Sequence, residues 1–112
     1  MDEINIKSQK EDLLKIINYY GIDKQLKYIH SEYFELDEAI LRSTKSHITE
    51  EIADVLVMLK QIQYYYDISD DLVELVMKSK IARQLKRIEN EKNNIWLVML
   101  QQCFCGNNRK VG

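Results

Sequence analysis

Residues 22–66 read IDKQLKYIHSEYFELDEAILRSTKSHITEEIADVLVMLKQIQYYY, and two apolar stripes within them decide the fold. From Asp23 to about Arg42, the residues Leu26, Ile29, Tyr33, Leu36 and Ile40 recur at alternating intervals of three and four. From about Ile48 to Tyr66, the residues Ile48, Ile52, Val55, Leu59, Ile62 and Tyr66 do the same. This spacing keeps side chains on one side of an α-helix, as in the seam of an antiparallel bundle. The polar turn Ser43–His47 is short, so the pair should form an αα-hairpin. Asp23 suits the cap of the first of these helices. Ser46 or Thr49 suits the cap of the second, with Glu50 and Glu51 in its positive first turn.

Outward from the hairpin, residues 9–20 predict a shorter helix with Leu13, Ile16, Ile17 and Tyr20 on one side, closed by Gly21. Asp67–Ser69 breaks the pattern, and Ser69 caps a fourth helix expected to run to about Asn90. The tail Asn93–Gly112 is less regular. Ile95–Leu100 reads as a helical turn or a strand, and Gly106–Gly112 as a frayed end. The expected division is a helical domain over 1–92 and a tail over 93–112.

Composition agrees with an all-α fold of about four helices. The 112 residues include no proline and three glycines, too few turn formers for an all-β chain. Hydrophobic residues make up 46% and charged residues 30%, a globular balance. The formal net charge of −2 argues against a basic surface for nucleic acid. No apolar run reaches the ~18 residues of a membrane span. The charged start MDEINIKSQK has no secretory core, so a cytoplasmic protein is expected. Cys103 and Cys105 read as two free thiols in a reducing compartment, with a zinc site the weaker alternative.

Four acids sit on the two seam helices. Glu32 and Glu35 are three apart on one; Glu51 and Asp54 are three apart on the next. With Glu32 as origin, Glu35 lies about 60° to one side and the apolar stripe centres about 80° to the other. The second pair is placed alike, so antiparallel packing can bring both to one level. Adjacent carboxylates near an apolar wall repel by several kcal/mol unless a cation sits among them or some are protonated. Oxygen-only donors suit Mg2+, Mn2+ or Ca2+. No glutamate has histidine three residues on, which argues against a di-iron bundle. Exposed acids at this spacing are also common as solvated surface.

The segments SEYFELDEAI (Ser31–Ile40) and EEIADVLVML (Glu50–Leu59) resemble the MazG-type nucleoside triphosphate pyrophosphohydrolases, an all-α superfamily. The family pattern is E-E-x-x-E on one helix and E-x-x-D on the next. Glu32 and Glu35 match its second and third acids, Glu51 and Asp54 match E-x-x-D, and Ser31 stands in place of the first glutamate. The resemblance covers about residues 9–90. It implies hydrolysis of a nucleoside triphosphate to the monophosphate and pyrophosphate. It assigns Glu32, Glu35, Glu51 and Asp54 as catalytic and metal-binding residues for Mg2+, with Mn2+ as the alternative. It also implies a homo-oligomer, a dimer or tetramer, that completes the bundle.

A cationic stripe, Lys80, Arg83, Gln84 and Arg87, follows on the fourth helix. Such a stripe can grip phosphate oxygens, or it can be a solvated helix face. Family members often carry K-x-x-x-N-x-x-R here; Lys80 and Arg87 match, with Gln84 in place of asparagine. Tyr28 projects on the side of Glu32 and Glu35 and can stack on a base or pack in the core. His47 reads as a turn residue more than a ligand. Glu38 and Asp37 are expected to point away from the acids. Of Tyr64, Tyr65 and Tyr66, the last is the expected buried ring, and Trp96 an expected packing anchor. Ser31 and the unmatched tail also motivate a rival reading: a catalytically silent helical interaction module, or a nucleotide-binding regulator without turnover.

Overall fold

The computed structural model describes the backbone of residues 3–42 and 44–111, and the side chains of residues 9–42 and 44–103. Four α-helices account for it: α1 (Glu3–Tyr20), α2 (Ile22–Arg42), α3 (Lys45–Tyr65) and α4 (Asp70–Val111). No strand occurs among the described residues. The chain divides into two compact units, Met1–Ser69 and Asp70–Gly112.

In the first unit, α1 and α2 meet at Gly21. Its φ of +90° is open to glycine at little cost. Its N–H donates to the Ile17 carbonyl at 2.8 Å, closing α1 as expected. Its own carbonyl accepts from the Gln25 N–H, so α2 starts at once. Asp23 therefore stands inside the first turn of α2, not at the cap, where its carboxylate still meets the positive helix end. The cap of α3 is Thr44, not Ser46 or Thr49. Its backbone is extended, and its hydroxyl accepts from the His47 N–H at 3.4 Å. Thr49 instead donates back to the Lys45 carbonyl. After α3 the chain turns through Asp67, at φ +55°.

The helices α2 and α3 run antiparallel: Gln25 meets Gln61 in a 2.8 Å hydrogen bond at one end, and Glu32 and Glu35 meet Glu51 further along. The buried set is Ile17, Ile29, Ala39, Val55, Met58 and Tyr64, with Gln25, Glu51 and Gln61 among them. This corrects the expected seams. Leu26, Tyr33, Ile40, Ile52, Leu59 and Tyr66 are exposed, while Ile29 and Val55 are buried. Three of the five stripe residues of α2 and three of the six of α3 face outward. The small Ala39 permits close approach, and Gln25 and Gln61 satisfy each other, so a partly polar flank can be the packed one. Tyr64 takes the buried place expected of Tyr66, with the ammonium groups of Lys10 and Lys60 near its ring.

In the second unit, α4 continues past Asn90 as one helix to Val111, so Ile95–Leu100 is helical and not a strand. Neither proline nor a turn pair interrupts it before Gly106. Asp70 and Asp71 occupy its first turn. Trp96, the expected anchor, is 62% exposed. Cys103 is a free, exposed thiol; the thiol of Cys105, Ser43 of the expected turn, and Gly112 lie outside the described residues.

Candidate metal centre

The rotation of α2 and α3 has a direct consequence for the acids. Once Gln25, Ala39, Val55 and Met58 form the contact, the next positions on the same flank are Glu32 and Glu51. Both are drawn toward the interface. Glu51 is only 9% exposed, Glu32 is half-buried, and Glu35 is exposed beside them. One carboxylate oxygen from each of Glu32, Glu35 and Glu51 lies within 4.8 Å of the others. Asp54 stands outside this tight group and is exposed, yet its charge reaches Glu32.

The electrostatics of the cluster are unfavourable in the absence of a cation. Burial raises the Glu32 carboxyl above the usual carboxylate range. The charges of Glu35, Asp54 and Glu51, and a hydrogen bond to Glu35, push it the same way. Oε2 of Glu32 and Oε2 of Glu51 are buried with no hydrogen-bond partner. Orphaned buried acceptors are rare in folded proteins and call for an explanation such as an ion. Three carboxylates at this separation, two of them with idle buried oxygens, are a donor set that a hard divalent cation fits.

A groove of about 600 Å³ opens beside the cluster, lined by Phe34, Glu35, Glu38, Ala39, Arg42, His47 and Glu51. Glu38, expected to point away, lies on its wall, and Arg42 pairs with it at 3.6 Å. The Nε2 of His47 lies 3.2 Å from Oε1 of Glu51. Sequence reading placed His47 in the turn. The signal for its contact was its spacing, four residues before Glu51 on one helix.

A second hollow of about 450 Å³ lies on the opposite side of the acids along α2 and α3. It is lined by Ile16, Tyr20, Lys24, Gln25, Tyr28, Val57, Met58 and Gln61. Tyr28 sits one turn before Glu32, and Val57 and Met58 one turn after Asp54. Lys80, Arg83 and Arg87 belong to the other unit, exposed along α4.

An all-α antiparallel hairpin that converges carboxylates from two helices places the protein among helical bundles with an acidic cluster at the helix interface. The model of the MazG nucleotide pyrophosphohydrolase domain matches residues 21–88, more than half of the chain, and the protein belongs to that family. The matched span contains all four acids and the cationic stripe of α4. No curated protein and no solved structure matches the chain significantly.

Proposed function

We propose that the protein is a divalent-cation-dependent pyrophosphohydrolase that cleaves a nucleoside or deoxynucleoside triphosphate to the monophosphate and pyrophosphate. The observation that carries this reading is the meeting of Glu32, Glu35 and Glu51, with two buried oxygens unpartnered, inside a span that matches the family. Glu32, Glu35, Glu51 and Asp54 hold the ion, Mg2+ or Mn2+, which when bound neutralises phosphate charge and makes water a better nucleophile. One of the same acids takes the proton from the attacking water; Glu35 and Asp54, being exposed, are the ones open to solvent. Tyr28 and the hollow it lines receive the base and sugar. Lys80, Arg83 and Arg87 hold phosphate oxygens, Arg as a fork and Lys as a point charge.

A homo-oligomer belongs to this reading. Leu26, Tyr33, Ile40, Ile52 and Leu59 leave an apolar face of the hairpin open, and a second copy is the partner that such a face suits. The substrate is a free nucleotide and not a nucleic acid, consistent with the net charge of −2. No helix among the described residues is long and apolar enough to cross a membrane. The cytoplasm, with its nucleotide pool and reduced thiols, suits the free Cys103.

The test is pyrophosphate release from a panel of NTPs and dNTPs with Mg2+. Glu51→Gln should abolish turnover and leave the helical circular-dichroism spectrum unchanged. Activity that survives this change would remove Glu51 from the mechanism. Ser31, in place of the family's first acid, favours one rival, a silent interaction module. That rival predicts no product and no rise in Tm with Mg2+.

A further inference from the structure

We propose that His47 is a positioning residue for the carboxylate cluster, holding one oxygen of Glu51 by hydrogen bond and leaving the other to the cation. This rests on the reading of Glu32, Glu35 and Glu51 as the cation site. The two oxygens of Glu51 are not equivalent. Oε1 faces His47 Nε2 at 3.2 Å, whereas Oε2 is buried with no partner. Ionised Glu51 only accepts, so holding it requires the tautomer in which Nε2 carries the hydrogen and donates.

The geometry around His47 suits a fixed donor. Four residues separate it from Glu51 on the same helix, so the helix itself sets their distance. Its backbone N–H is tied to the capping hydroxyl of Thr44, which anchors the first turn of α3. Arg42, which also lines the groove, is paired with Glu38. The imidazole side chain is 50% exposed, so it is not there to fill the core. Among the described residues, the group able to share one ion comprises three glutamates and no histidine, which separates holding a ligand from being one. A glutamate has three side-chain torsions. Pinning one oxygen removes most of that freedom before the ion arrives, the way outer hydrogen bonds orient ligands at other metal centres.

The test uses the full chain and Mn2+ as the probe. Affinity is measured by calorimetry and by the free-ion EPR signal for wild type, His47→Gln, His47→Ala and Glu51→Gln. His47→Ala should weaken Mn2+ binding by about 10–100-fold, the usual effect of losing an outer-shell partner. His47→Gln, whose amide N–H can donate in its place, should recover most of that loss. Melting in EDTA should be the same for wild type and both His47 variants. Wild-type affinity in His47→Ala, alongside loss in Glu51→Gln, would overturn the positioning role and leave the cation site standing. Failure of His47→Gln to recover the loss, or a nitrogen coupling to bound Mn2+ in pulsed EPR, would also overturn it. Wild type that binds no Mn2+ would overturn both readings.

Discussion

Glu32 carries its carboxyl in a setting that favours the proton. Burial is the first cause; the charges of Glu35, Asp54 and Glu51 follow. Because the folded state raises this pKa, it binds the proton more tightly than the unfolded chain does. Stability of the metal-free protein should therefore fall as pH rises from the ordinary value of 4.5 through the higher folded one, and then level off. Melting in EDTA across that window should show this decline in wild type and a flatter curve in Glu32→Gln. Equal slopes in the two proteins would place the titrating group elsewhere. Mg2+ favours the ionised cluster, so its stabilising effect should grow over the same pH window. The candidate acids were legible at this scale because i,i+3 spacing on two helices is a property of the chain. The partnership of His47 with Glu51 was legible only in part: its spacing puts it near the flank of Glu51, but a residue at a helix start can face the turn or the flank, and the Thr44 cap decides which.

At the scale of elements, the helices and their order were legible from periodicity, and Gly21 and Asp67–Ser69 marked two of the boundaries. The packed flank was not. Both α2 and α3 carry apolar residues over a wide arc, so two neighbouring faces compete for burial. Contact through Ala39, Val55 and Met58 leaves Gln25 and Gln61 inside, where they must pair. Gln61→Leu should cost about 1–3 kcal/mol in urea unfolding, because the Gln25 amide then has no acceptor for the hydrogen it gives Gln61. Gln25→Leu with Gln61→Leu should regain most of that stability. A double variant as weak as the single one would mean that shape, not hydrogen bonding, sets the cost. The far end of α4 also escaped the reading, since a short apolar run fits a strand or a helix equally and only its continuity with the preceding turns settles it.

At the scale of the whole molecule, the open apolar face of the hairpin is the main feature left unsatisfied by one copy. Light scattering should find the chain as a dimer or larger. Ile40→Glu combined with Leu59→Glu, both exposed, should shift it toward monomer without loss of helix content. A wild-type monomer would refute the oligomeric reading.

From the order of residues alone came the all-α class, the four helices and the four acids, because each depends on local periodicity and spacing; the family came from the resemblance of two acid-bearing segments to its motif. Only the packing of α1, α2 and α3 decided which flank of each helix is covered. That choice brought Glu32, Glu35 and Glu51 together and left Asp54 at the edge. The reason is physical: rotating a helix by one residue leaves its pattern intact but exchanges which charges lose water and which neighbours share their field.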